Sequence, residues 1–201
     1  MMKSTIREII ETALLVLLVF FALNLVVFQY EVEGTSMEPS LYDGQRLSVN
    51  KAVYFHIDME RMSRIVPFMK QQEDKVIYIF HAPRRGELVI FRPPTDPDRE
   101  FIKRVIATPG EKVEIKAGKV YINDVQLEEP YINEGPSYTL APQTVPAGHY
   151  FVLGDNRNNS SDSHIWGMVP YQNIIGKPWL CYWPIDKWGL APNYSLLAQE
   201  G

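Results

Sequence analysis

The sequence predicts a mostly β protein carried behind a single N-terminal transmembrane helix. Three observations lead there. From Ala13 to Phe28 every residue except Asn24 is apolar, and Ile9, Ile10 and Thr12 extend the run toward the ~20 residues that cross a bilayer. Beyond it, apolar residues recur at the short period of strands, with turn formers between them. Fifteen prolines, several of them in "RPPTDP" (92–97), exclude long helices outside the first segment.

Taken in order, residues 1–8 read as a cytoplasmic tail, 9–28 as the anchor and 29–201 as one extracytoplasmic domain. A cleavable leader has an apolar core of roughly 7–15 residues and a small-x-small site. Here the run is longer and "QYEVE" (29–33) follows it, so the segment reads as retained. Lys3 and Arg7 precede the span while Glu31 and Glu33 follow it, which places the N-terminus inside the cell and the cell membrane at residues 9–28. Asn24 fits the solvated end of that helix.

Four stretches then read as strands: "GELVIF" (86–91), "FIKRVIA" (101–107), "EKVEIKAGKVYIND" (111–124) and "GHYFVLGD" (148–155). Gly110, Gly118, Asn123-Asp124 and Gly148 stand where hairpins turn. Together they predict a barrel or curled sheets. Residues 52–85 break the rhythm, mixing aromatics and methionines with charges. They read as a short amphipathic helix plus an extra hairpin packed on the core, with contact of Tyr54, Phe55, Ile65, Phe68 and Met69 with lipid as the other possibility.

Composition excludes several function classes. The net charge of −4 leaves no basic stripe for nucleic acid. The lone Cys181 forms no internal disulfide, and no Cys/His cluster has metal-ligand spacing, so neither cofactor nor metal is expected. Nothing calls for a second copy, and a monomer is expected.

Chemistry points to "EGTSMEPSL" (33–41). If Ser36 is a nucleophile it needs a base, yet none of the four histidines (His56, His81, His149, His164) stands out as its partner. In "FIKRVIATPGE" strand alternation sends Lys103 and Arg104 to opposite faces, each between apolar neighbours. Arg104 is never deprotonated and supports rather than reacts. Lys103 has two readings: a surface lysine whose stem covers the core edge, or a buried amine whose lowered pKa makes it a base. A third stretch, "GDNRNNSSDSHIWGMVP" (154–170), is either a turn of self-bonding residues or a polar supporting network.

These stretches resemble the type I signal peptidases, the membrane-bound bacterial leader peptidases. "SMEPSL" (36–41), "DGQRLSVNK" (43–51), "RGELVIFRP" through "FIKRVIATPGE" (85–111) and "GDNRNNSSDSHIWGMVP" match in the family's order. The resemblance implies a β-rich catalytic core with a smaller inserted cap lobe at about 119–150. It makes Ser36 the nucleophile, Lys103 the general base, and the Ser36 N–H an oxyanion donor. It gives Ser160 a hydrogen bond to the lysine amine, Asp162 a place in the supporting network, Asp155 and Arg157 the bracing of the loop, and Met37 a place beside the substrate. The implied substrates are exported preproteins with small side chains at the first and third positions before the cut, held at the bilayer surface.

Departures from the family pattern are visible too. Gly34 stands where some members carry a serine as second oxyanion donor. His164 replaces the arginine usually paired with the aspartate, which makes that pair sensitive to pH. The order Asp43-Gly44 is reversed. A membrane-tethered β module that binds a partner without chemistry is the competing reading of the residues alone.

Overall fold

The computed structural model describes residues 7–18, 27–59 and 76–194. Among the described residues, fourteen strands, all antiparallel, form three sheets. The largest has eight strands in the order β1 (Val27–Glu31), β2 (Arg46–Asn50), β13 (Ile174–Trp183), β5 (Leu88–Phe91), β6 (Phe101–Ala107), β11 (His149–Leu153) and β12 (Val169–Pro170), with β14 (Gly189–Leu190) added to β13. This path has two ends and so is a curled sheet, one of the two forms expected. β13 does much of the bending: its register slips against both β2 and β5, and such bulges increase local twist.

The anchor expectation needs a correction at its end. Val27 and Phe28 are strand residues, paired with Asn50 and Val49. Apolarity alone does not separate lipid-facing from core-facing residues, so in the sequence these two are indistinguishable from the span. Residues 7–18 are helical and exposed, and 19–26 lie outside the described residues. Among the described residues, no helix is long and apolar enough to cross a membrane.

At the middle of the sheet every residue of β5 is buried, as are the last five of β6. A strand covered on both faces reads as a continuous apolar run, which is why "LVIF" and "VIA" do not alternate. One core cluster gathers Val32, Met37, Leu41, Leu47, Val49, Leu88 and Ile90, with Tyr30 of β1 packed against it. A second gathers Val89, Phe91, Val105, Tyr150 and Val152.

The second sheet has the order β10 (Leu140–Thr144), β7 (Lys112–Lys116), β8 (Lys119–Ile122), β9 (Val125–Gln126). Its turns lie where expected. Ala117 and Gly118 have φ of 50° and 73°, and Asn123 and Asp124 have 51° and 69°. Both central residues left-handed is the signature of the two-residue turn whose twist matches a hairpin. The inserted lobe, expected at about 119–150, is drawn differently: the sheet begins at Lys112, and His149 and Tyr150 belong to β11 of the main sheet. Val113, Ile115, Val120 and Ile122 share one cluster with Ile106, Ala107, Phe151 and Leu153, so the lobe leans on the main sheet through a common core.

The irregular segment holds the extra hairpin, β3 (His56–Asp58) with β4 (Val76–Tyr78). Tyr54 is buried in the second cluster while Phe55 is 56% exposed. Ile65, Phe68 and Met69 lie outside the described residues.

Candidate active site

Ser36 sits in the turn that follows β1. Val32 and Met37 on either side, with Leu41, are buried in the first core cluster and pin the turn from below. The Leu41 N–H donates to the Met37 carbonyl at 2.9 Å, closing one turn behind the serine. Gly34 has φ +81°, and its N–H donates to Asp43 Oδ1 at 2.6 Å. That left-handed backbone favours glycine over serine, and it supplies a physical reason for the missing hydroxyl. The Ser36 N–H makes no hydrogen bond among the described residues.

Lys103 reaches this turn from β6. Its Nζ lies 2.6 Å from Ser36 Oγ, across 67 positions of sequence. The lysine is 4% exposed. Burial pulls its pKa down from 10.5 to about 8, against the opposing charges of Asp162 and Asp155. Of the two readings open for Lys103, the structure has the buried amine.

Arg104, the next residue, faces the other way and is fully buried. Its Nε and one terminal nitrogen donate to the two oxygens of Asp155 at 2.8 and 2.6 Å. The remaining bonds go to the carbonyls of Gly86 and Pro192 and to Ser40 Oγ. Rings of Tyr131 and Tyr194 lie 4.2 and 4.9 Å from its guanidinium carbon. Arg157 repeats the pattern, with both terminal nitrogens on Glu129 at 2.9 and 2.6 Å and its Nε on the Gly154 carbonyl at 3.0 Å. Asp155 and Arg157 thus brace the loop, each through a partner outside it.

The loop in turn clamps the serine turn. The Asn156 N–H donates to the Ser36 carbonyl at 3.1 Å and its side chain to the Thr35 carbonyl at 3.1 Å. Asn159 donates to Thr35 Oγ1 at 2.7 Å. A Cβ on Gly154 would fall 2.5 Å from the Ser36 carbonyl oxygen, so the two segments touch at a glycine. Asp162, fully buried, accepts the Gly154 N–H at 2.9 Å and the His164 ring at 2.6 Å.

Two expected contacts take another form. Among the described residues Ser160 Oγ is buried without a hydrogen-bond partner; it packs against Gly154, and no bond joins it to Lys103. Met37 is 1% exposed inside the core, below the serine, and is not part of the cleft wall. Glu129, Asp43, Asn156 and Asn159 were missed. The asparagines were visible as loop formers, whereas "LEEP" (127–130) carries no local signal of a buried ion pair.

A cleft of about 420 Å³ opens on the dyad. Val32, Leu47, Ile90, Phe101 and Ile102 give it apolar walls, with Tyr30, Glu33, Arg99 and Glu100 among its polar ones. β11 pairs with β6 only from Arg104 onward, so Phe101–Lys103 keep one strand edge open to the cleft. Among the described residues no group of three or more His, Cys, Asp or Glu side chains is placed to hold a metal ion.

The family model for signal peptidase, peptidase S26, matches residues 6–183. Signal peptidase I of Leptolyngbya laminosa is 47% identical over 130 residues, 61% of this chain and 64% of that protein. Probable signal peptidase I-1 of Synechocystis is 45% identical over 131 residues, 62% of this chain and 67% of its own length. The chain therefore spans about two thirds of these relatives. The crystal structure of a signal peptidase I from Enterococcus faecalis is 34% identical, with a TM-score of 0.44, covering 48% of this chain and 97% of that one.

Proposed function

The chain belongs to the signal peptidase family, peptidase S26, and from that premise we propose a membrane-bound serine endopeptidase that removes N-terminal signal peptides from exported preproteins. The observation that carries the mechanism is the 2.6 Å approach of Lys103 Nζ to Ser36 Oγ in a buried setting. A lysine with a pKa of about 8 is partly neutral at cellular pH. The neutral amine takes the Ser36 proton as Oγ attacks the scissile carbonyl, and the Ser36 N–H donates to the oxyanion. Lys103 then passes the proton to the leaving amine. Water, activated by the same lysine, releases the acyl group from Ser36.

The substrate strand enters between residues 33–37 and the open edge of Phe101–Lys103, bonded through its main chain. Apolar walls close to the dyad suit small side chains. The apolar run before Val27 anchors the protein as a single-pass span with the N-terminus in the cytoplasm. Ten residues from Val27 to Ser36 reach at most about 35 Å, which holds the dyad near the outer surface of the bilayer. The enzyme acts as a monomer and needs no cofactor.

The test is the full-length protein in detergent with a preprotein, and sequencing of the new N-terminus. Cleavage at one site, lost in Ser36→Ala and in Lys103→Met, supports the assignment. Turnover retained in either variant removes it.

A further inference from the structure

Asp162 and Asp155 both push Lys103 toward its charged form, but their own partners differ. Asp155 is matched by Arg104, a permanent cation at 2.6 Å. Asp162 has His164 as its ring partner, a cation only when protonated. The His164 Nδ1 lies 2.6 Å from Asp162 Oδ1, and the other carboxylate oxygen holds the Gly154 N–H. The ring is fixed from its face as well. Tyr138, just before β10 of the second sheet, stacks on His164 with centroids 3.8 Å apart and planes 9° from parallel. Packed against the cluster shared by the two sheets, Tyr138 carries a buried hydroxyl with no hydrogen-bond partner, so its ring is what it contributes here.

We propose that His164 and Tyr138 are positioning residues for the general base: the second sheet holds the His164 ring on Asp162, and its protonation sets how strongly Asp162 restrains Lys103. The proposal rests on the Ser-Lys reading above. With His164 protonated, the imidazolium offsets the Asp162 charge and Lys103 gives up its proton more readily. With His164 neutral, Asp162 acts unopposed and holds the ammonium. Besides Asp162, the charges felt at the stacked Tyr138 ring are Arg157 and Glu129, which pair with each other at 2.6 Å. His164 and Lys103 therefore act on one another through one carboxylate. The rise of activity with pH is spread wider than a single group would give.

The experiment has two arms. In the first, kcat/KM of the full-length enzyme on a preprotein is followed against pH. His164→Arg supplies a permanent cation, so the rising limb moves to lower pH, by about half a unit, and steepens to a single titration. His164→Gln supplies none, and its limb lies above that of His164→Arg. Tyr138→Leu frees the ring and approaches the glutamine profile, whereas Tyr138→Phe keeps the stack and the wild-type shape. Superimposed limbs for the arginine, glutamine and wild-type enzymes overturn the proposal for His164. A Tyr138→Leu protein that is less stable but has an unmoved limb overturns it for Tyr138.

The second arm needs no activity. The His164 ring nitrogens are titrated by NMR in Ser36→Ala, with and without Lys103→Met. Coupling is reciprocal, so removing the ammonium moves the His164 titration to higher pH. An identical titration overturns the proposal even if the enzyme cleaves. A shifted titration, together with a wild-type protein that cleaves no preprotein, sustains the coupling and removes the peptidase reading instead.

Discussion

Lys103 and Arg104 are consecutive on β6, both cationic by type and both buried, yet the fold treats them in opposite ways. Arg104 is given a bidentate carboxylate, two carbonyls, a hydroxyl and two aromatic faces. Lys103 has one neutral hydroxyl in reach, the Phe101 ring 5.5 Å away and carboxylates only at longer range. A buried cation with a matched partner stays charged and fixes structure; one left without it moves toward the neutral form. Strand alternation puts the two on opposite faces, so one strand presents a matched cation on one side and the amine proposed as the base on the other.

The largest break in this comparison comes from exchanging the chemistry. Lys103→Arg keeps a cation on the dyad face but cannot accept a proton. Turnover should fall about 10⁴-fold, as for Lys103→Met and Ser36→Ala, because residues acting as a unit fail together. A preprotein cleavage assay decides it; an active arginine variant makes the lysine structural.

On the other face the loss is in stability. Asp155→Asn leaves the fully buried Arg104 guanidinium uncompensated, at a cost of roughly 3–5 kcal/mol. Denaturant unfolding in detergent measures it. A change under ~1 kcal/mol would show that the carbonyls of Gly86 and Pro192 and the two rings suffice without the carboxylate.

Lys103 itself gives the opposite sign. Its folded pKa of about 8 lies below its ordinary 10.5, so the unfolded chain binds more protons between those values. Stability of the wild type therefore rises as pH climbs from about 8 to 10.5, and below that window the full penalty is present. Lys103→Met should be more stable by something of order 2–3 kcal/mol at pH 7, the gap closing above pH 10. The same titration predicts that kcat/KM of the wild type climbs through about pH 8. An inactive variant that gains stability identifies a residue held for function against the preference of the core.

The two faces differ in how much of them is legible in the sequence. The strands around Lys103 and Arg104 were legible because period and turn chemistry are local, and the turns at Ala117-Gly118 and Asn123-Asp124 follow from residues that accept positive φ. The dyad itself joins positions 67 apart, and by alternation alone Lys103 reads first as a surface residue. Only the family resemblance favours the buried amine. The partners of Arg157 and Gly34, Glu129 and Asp43, were hidden because a carboxylate in a polar stretch looks the same whether solvated or buried. The anchor ran two residues too far for a related reason: Val27 and Phe28 are as apolar as the span, and only pairing with β2 distinguishes them.

The smallest effect tests the turn beside the nucleophile. Gly34→Ser restores the hydroxyl that some relatives place there, and a Cβ at this position meets no atom within 4 Å. Space is therefore not the obstacle; the φ of +81° is. An L-residue in the left-handed region costs about 1 kcal/mol, partly relieved if the backbone turns, but turning it would strain the 2.6 Å bond from the Gly34 N–H to Asp43. The expected outcome is a loss of about 1 kcal/mol in unfolding free energy with kcat within a few-fold of wild type. A tenfold rise in kcat would instead mean that the hydroxyl reaches the oxyanion, since a well-placed donor is worth about 10²-fold or more. The dyad face would then be limited by a missing hydrogen bond and not by the backbone that replaced it.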